Sequence, residues 1–472
     1  MVLGPTPSET ITAVLVAERI TALTSWAVDT MMGPPPDDVI LRRAALILID
    51  DLAAMLAARD EPQVRQAHDR LIVNSGPKEA TIFRGGKIRI DRYNAAMANG
   101  LAGDWCELDE GYRKATCHAG LYVLPALLAE AEATDQSFAR VLQALVVGYE
   151  VTARFARAFQ FDGLVLHPHG GFNAVGAVAG VAALRGFDTE TYLGALGAAA
   201  TMVSPGPYRH AVEGALVRNV WSGIGASNGL HAADWAEFGI AGHAGSVWDV
   251  YGGIMGADAH PDELTVDLGA DWAVSDGYHK IHACCQYAHS AVEATLELLQ
   301  NAGGSIDVAD LEAIDVATHW RGRSLDTVEP STSLAAKFSM PHILAATTLV
   351  GHAGHEAFAD DVLTDPTLDG LRRRVRLHAY EPEPAWPNDR PARVTWRFTN
   401  GRTATAECLS AKGGPDRPFT PSDILNKLEG IVGDVYPGLA EMAPKMTELT
   451  PDLLAMSWRD VVARFTDDGG DA

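Results

Sequence analysis

Cysteine is scarce in this chain: Cys106, Cys117, Cys284, Cys285 and Cys408 are the only five in 472 residues. The number is odd and only two are adjacent, which supports neither a disulfide framework nor paired Cys-x-x-Cys zinc knuckles; reduced thiols are expected. Basic residues are also short, with 37 Lys and Arg against 61 Asp and Glu, a net charge of −24. Such a surface repels nucleic acid and anionic membranes, so neither is an expected partner, and an anionic ligand needs a locally basic pocket. No uninterrupted apolar run reaches the roughly 18 residues that span a bilayer. The opening MVLGPTPSETITAVL has no basic stretch leading into an apolar one, so a cytoplasmic location is expected.

What is present is a globular composition, 47% hydrophobic and 21% charged, long enough for two domains. Up to about residue 270 the pattern is Ala- and Leu-rich with three-and-four spacing, as in VILRRAALILIDDLAAMLAAR (39–59), which carries Asp50 and Asp51 in its middle. FNAVGAVAGVAALRGFD (172–188) predicts a tightly packed helix ended by Gly186. After about residue 305 polar and apolar residues alternate, and Asn400-Gly401 signals a type I′ hairpin between PARVTWRFT and RTATAECLS. From Thr420 the pattern returns to helix. The expected fold is mainly α with a smaller α+β domain: a helical bundle from 1–275 and 413–472, interrupted by a lid at 276–412, with a ligand cleft between them. No internal repeat is found, and only the terminal DDGGDA reads as disordered.

Four segments set titratable residues against small or apolar backgrounds. NGLAGDWCELDEGYRKATCHAG (99–120) carries Asp104, Glu107, Asp109 and Glu110 and then His118 at the mouth of an apolar helix; an acidic solvated loop is the bland alternative. LHPHGGFNAVGA (166–177) places His167 and His169 before the small-residue helix, where they could bind or protonate a carboxylate; no third ligand at helical spacing supports a metal. Arg218 is isolated in a long small-residue stretch and is either a bidentate carboxylate binder or a snorkelling surface residue. KIHACCQYAH (280–289) is neither a metal nor a redox site by spacing, since adjacent cysteines diverge. That leaves Lys280 and the histidines as acid, base or anion-binding groups.

In order, these segments and LAAKFSMPHILAATTLV (334–350) resemble the landmarks of the MmgE/PrpD family. HPHGGFNAVGAVAGVAALRGFD resembles the family's HPTGTFGAFGAAAAAARLLGLD, HKIHACCQYAHSAVEA its YKPYPCCRYTHAAIDA, and AAKFSMPH its EAKFSLPY. The resemblance implies a helical domain with an α+β lid, a homodimer, and no metal or organic cofactor. It places Glu107, His118, His167, Arg218 and Lys280 in the family's pocket, and with the reading above Glu107, His118, His167 and Lys280 are expected to be catalytic and Arg218, His169, His282 and His342 substrate-binding. The chain departs from the family's pattern at four points: ELDEG replaces the acidic box DFDDT, Arg218 stands where lysine is usual, His282-Ala283 replaces YP, and His342 replaces a tyrosine. These departures point to a substrate other than methylcitrate or aconitate.

The expected chemistry is proton transfer at a carbon beside a carboxylate of a small di- or tricarboxylic acid. Arg218 and Lys280 would stabilise the developing charge, and a histidine, the side-chain type that titrates near neutral pH, would move the proton. Loss of hydroxyl gives dehydration, loss of carbon dioxide decarboxylation, and return of the proton on the other face epimerisation. A lyase of the 2-methylcitrate dehydratase kind is the first expectation. An epimerase of an amino- or imino-dicarboxylic acid is the second, and a non-catalytic binding protein the third.

Overall fold

The structure, a computed structural model, describes residues 7–433 and 435–466, so the DDGGDA tail lies outside the described residues. The chain is mainly α with a smaller α+β part. The periodic run at 39–59 forms the helix Asp38–Ala57, buried continuously from Ala44 to Leu56. Ser137 caps the helix Phe138–Ala158 by accepting from the Arg140 N–H at 3.2 Å, worth about 1 kcal/mol.

Helix Asn173–Arg185 lies at the centre, buried from Asn173 to Leu184, and Gly186 ends it in the left-handed region with φ 70°. A helix apolar all round needs neighbours on every side. Glycines let them approach: a Cβ on Gly148 would sit 2.9 Å from the Gly180 Cα, and one on Gly229 would sit 2.4 Å from the Ala177 Cβ.

Counting uninterrupted runs missed one feature of the first helix. Glu9–Met32 is long and apolar enough, by composition, to cross a membrane. Glu18 and Arg19 break the run; Val16, Ile20, Leu23 and Ala27 bury one face in the core, and Arg19 reaches Asp262 at 2.9 Å.

The α+β part holds a four-stranded sheet in the order Thr403–Cys408, Ala392–Phe398, Leu311–Thr318, Val375–Ala379. The first three run antiparallel to their neighbours and the last pairs parallel. Ala392, Val394, Trp396 and Phe398 alternate inward, and helices His289–Asn301 and Met340–Val350 cover that side. The hairpin forms, but not with the expected turn. Phe398 N–H donates to Arg402 C=O at 2.9 Å, leaving three residues in the loop, of which only Gly401 has positive φ, at 81°. That is a type I turn with a glycine bulge, since a type I′ turn needs positive φ at both central residues.

Buried side chains fall into two clusters. One gathers residues 16–274 with 419–465; the other gathers 283–408 and draws in Leu101, Trp105, Cys106, Leu108 and Tyr208 from the helical part. The segment around 101–108 therefore runs along the seam.

Candidate active site

Helix Arg92–Trp105 stops at Cys106, and Glu107 turns the chain with φ 55°, a left-handed backbone that costs a non-glycine residue energy and concentrates at functional sites. The loop then forms a short antiparallel pair, Gly111–Tyr112 against Gly277–Tyr278. This ladder brings Lys280, two residues past Tyr278, against the acidic box.

Asp50 and Asp51 hold the loop from beneath. Asp51 Oδ1 accepts the Glu110 backbone N–H at 3.0 Å. Asp50 takes His279 Nδ1 at 2.8 Å and Lys427 Nζ at 2.6 Å, and the same ammonium donates to the Leu108 carbonyl at 2.6 Å. Burial pushes Asp50 up, but Lys427 and His279 outweigh it and keep its carboxyl below the usual range.

Asp109 is the hub. Its Oδ2 lies 2.6 Å from His118 Nδ1, and its Oδ1 accepts from Lys280 Nζ at 3.3 Å. Burial alone would raise its pKa; Lys280 and His118 instead hold it far below the carboxylate range. Lys280 is likewise pulled down by burial and held above its ordinary value by Asp109 and Glu107. Glu107 lies 3.7 Å from Lys280 and 2.6 Å from Arg218 Nη1, the latter a close contact without an aligned N–H.

Arg218 gathers the other side. It ion-pairs with Asp104, donates from Nε to His167 Nε2 at 3.2 Å, and lies over the Phe338 ring at 5.3 Å. Asp104 also lies 2.9 Å from His169 Nε2, while His169 Nδ1 meets the Tyr122 hydroxyl at 2.7 Å. Burial, only partly offset by Arg218, lifts Asp104 to about 6. Burial, then the Arg218 charge, drives both His167 and His169 well below the imidazole range, so both are neutral. Accepting from the guanidinium occupies the His167 Nε2 lone pair. His118 differs: its side chain is 17% exposed, and among the described residues no hydrogen bond occupies its other nitrogen.

Glu107, His118, His167, Arg218 and Lys280 line one small chamber of about 40 Å³. Of the eight expected site residues, the structure brings these five to one cavity. His169 stands behind the wall, its ring 4.7 Å from His118. His282 and His342 are elsewhere. His282 packs edge-on against His289 at 5.2 Å, with burial lowering it to about 4. His342, in the first turn of Met340–Val350, faces the core of the α+β part, its Nε2 3.1 Å from the Ala357 carbonyl and its ring beside Phe358. Two of the positions that set this sequence apart from the family's pattern, His282 and His342, therefore do not line the chamber, whereas Glu107 and Arg218 do. Cys285 does, 4.0 Å from the Tyr208 hydroxyl; burial raises its thiol to about 11, which makes it a poor nucleophile.

Sequence reading missed Arg390, Tyr208 and Tyr287, which also line the chamber. Arg390 sits in the loop PNDRPAR, which has no periodicity or motif to mark it. Asp109 was visible in the acidic box, but four acids within seven residues gave no sign of which one turns inward.

Two carboxylate–histidine groups here, Asp109 with His118 and His169, and Asp104 with Glu107 and His169, offer ligand atoms within 4.8 Å of one another. Lys280 and Arg218 already neutralise those carboxylates, so a divalent ion would have to displace them. A larger cavity of about 500 Å³ lies beside Trp105, where Glu61 pairs with His355 at 3.1 Å. There Glu61, Cys106 and His355 bring ligand atoms within 4.8 Å of one another, and hydrogen bonding to Cys106 and Glu61 raises His355 to about 10.

Comparison with known proteins bears on the family of the whole chain. The MmgE/PrpD N-terminal domain model matches residues 21–265 and the C-terminal domain model matches residues 282–449. A cis-aconitate decarboxylase of Aspergillus terreus is 27% identical over 368 residues, 72% of this chain and 74% of that protein. A cis-aconitate decarboxylase-like protein, oryM, of Aspergillus oryzae is 26% identical over 373 residues, 72% of this chain and 76% of that protein. With both domain models matched along most of its length, the chain belongs to the MmgE/PrpD family.

Proposed function

We propose that this protein is a lyase that moves a proton at a carbon beside a carboxylate of a small polycarboxylic acid. The observation that carries the reading is the Asp109–His118 contact at 2.6 Å. A carboxylate bound to Nδ1–H fixes the imidazole tautomer and leaves Nε2 to take or give a proton, with the resulting imidazolium stabilised. Arg218 and Lys280 line the chamber, and their N–H groups, held in place by Asp104, Glu107 and Asp109, are preorganised donors for an enolate-like transition state.

In a decarboxylation, the electron pair of the broken C–C bond moves into a new double bond, and protonated His118 delivers its proton to the far alkene carbon. In a dehydration, neutral His118 removes the proton while a hydroxyl leaves from the adjacent carbon. The decarboxylase names among the relatives make cis-aconitate the first substrate to test.

A lyase is favoured over an epimerase by the state of the histidines. Epimerisation uses two proton carriers on opposite faces of one carbon. Here His167 Nε2 accepts from Arg218, and His169 does not line the chamber, its Nδ1 against the Tyr122 hydroxyl and its Nε2 2.9 Å from Asp104 without an aligned hydrogen bond.

The test is turnover of cis-aconitate, citrate and methylcitrate in deuterated buffer, with products read by mass spectrometry, for the parent and for His118→Ala. A lyase gives a product lighter by carbon dioxide or water and carrying one solvent deuteron in the decarboxylation, and His118→Ala abolishes it. An unaltered His118→Ala rate would sink the assignment.

A further inference from the structure

Deep in the inner chamber, Lys280 and Arg218 have no positive charge to spare. Lys280 and Arg218 face Asp104, Glu107 and Asp109, three carboxylates for two cations. At about 40 Å³ it holds little more than a water molecule. Most of a polycarboxylate must therefore lie outside it.

An outer chamber of about 250 Å³ adjoins it, sharing Ala115, Thr116, Pro168 and Arg390. Its charge is of the opposite kind. Asp389 is the one carboxylate in its wall, and Arg113 holds that at 2.7 Å and 3.4 Å. Lys114 is turned to Asp276 and Asp271, at 2.7 Å and 3.1 Å. Two guanidiniums remain. Arg390 is only 9% exposed, its Nε lies 3.8 Å from Asp389, and that nitrogen makes no hydrogen bond; its Nη1 donates to Gln286 Oε1. Arg321 lies against the rings of Trp320 and Tyr287, at 4.6 Å and 6.0 Å, with no carboxylate partner among the described residues. Arg390 lies over the same Tyr287 ring at 5.1 Å. Burial and then the charge of Arg113 lower Arg390 to about 10, the sign of a cation short of counter-charge.

We propose that Arg390 and Arg321, spaced by Tyr287 at the junction of the two chambers, form an anion subsite for a carboxylate of the substrate remote from the reacting carbon. The subsite selects polycarboxylates, and above all tricarboxylates, in a protein whose net charge of −24 otherwise repels them. Planar guanidiniums stacked on an aromatic ring are pre-ordered for bidentate carboxylate binding. This inference rests on the proton-transfer reading for the identity of the ligand, though not for the binding itself.

The test separates the two. Isothermal titration of the full-length protein with tricarballylate, a saturated tricarboxylate with no hydroxyl to lose, measures binding without turnover. Arg390→Gln and Arg321→Gln should each weaken it by about tenfold or more, as loss of a charge-assisted hydrogen bond does. His282→Phe, which lines neither chamber, should leave it within about threefold. With a turned-over substrate, Arg321→Gln should raise KM by a similar factor with kcat little changed. Arg321 is partly exposed, so its variant stands even if Arg390→Gln lowers the melting temperature. Parent-like tricarballylate binding in both variants, or no binding by the parent, overturns the subsite. Absence of turnover with every acid overturns only the proposed reaction.

Discussion

Asp109→Asn tests the site with the smallest change of shape. An asparagine has one carbonyl oxygen and one NH2, whereas Asp109 accepts from both His118 Nδ1 at 2.6 Å and Lys280 Nζ at 3.3 Å. One of the two must then face a donor. Lys280 has no lone pair to offer while protonated, so the carbonyl turns to it and the NH2 turns to His118. His118 Nδ1 becomes an acceptor and its proton moves to Nε2, the wrong tautomer for a base. Loss of a positioned acid or base lowers the rate by about 10²–10⁴, or roughly 3–5 kcal/mol on the barrier. Stranding a buried charge costs about 3–5 kcal/mol, but Glu107 stays 3.7 Å from Lys280, so the loss of stability falls at the lower end, about 3 kcal/mol. Steady-state turnover, deuterium incorporation and a melting curve measure the three quantities together. A variant within tenfold of the parent rate would refute the role given to the Asp109–His118 pair, and an unchanged melting temperature would refute the Lys280 accounting.

Further outcomes follow from the surrounding packing. Burial raises the Glu110 carboxyl from its usual 4.5 to about 8. Below about pH 4.5 folded and unfolded chains both carry this proton; between about 4.5 and 8 only the folded chain does, so stability falls as pH rises through that window. The slope is at most about 1.4 kcal/mol per pH unit for one proton, and Glu110→Gln should flatten it in melting curves taken across the window. Gly229→Ala places a Cβ 2.4 Å from that of Ala177 and should cost about 1–3 kcal/mol by urea titration. Arg218→Lys keeps the charge but cannot hold Asp104, Glu107 and His167 together, and should cost roughly 1–3 kcal/mol in the same assay. His282→Phe, outside the chamber lining, should leave kcat within about twofold; a tenfold fall would show that the core of the α+β part is coupled to the reaction.

The scaffolding explains why so many carboxylates crowd one seam. Asp51 is raised by burial and by the charges of Glu110 and Asp109, and Glu110 by burial and the charge of Asp109, whereas Asp109, one residue from Glu110, is driven low by Lys280 and His118. Neighbouring acids thus separate into protonated ones that hold the loop and an ionised one that orients the imidazole. Pairs whose environments push their pKa values apart are the physical mark of an acid–base site.

How far the sequence discloses this depends on the range of the interaction. Helix Asp38–Ala57 and the small-residue helix Asn173–Arg185 are legible because their cause is local, in periodicity and in the glycine that ends the second. His118 and Lys280 are legible as residues, each polar beside an apolar run, but their meeting at Asp109 is not. It is made by the two-residue ladder between Gly111–Tyr112 and Gly277–Tyr278, too short to leave an alternating pattern. His282 and His342 mislead for the opposite reason. They stand out by substitution against the family's pattern, yet backbone direction at the start of Met340–Val350 turns His342 into the core of the α+β part. Arg390 carries no local signal at all, because what distinguishes it is a deficit: a buried guanidinium whose nearest carboxylate is already held by Arg113. A deficit of charge belongs to the assembled fold, and this one places the anion where the inner chamber, already neutralised, does not.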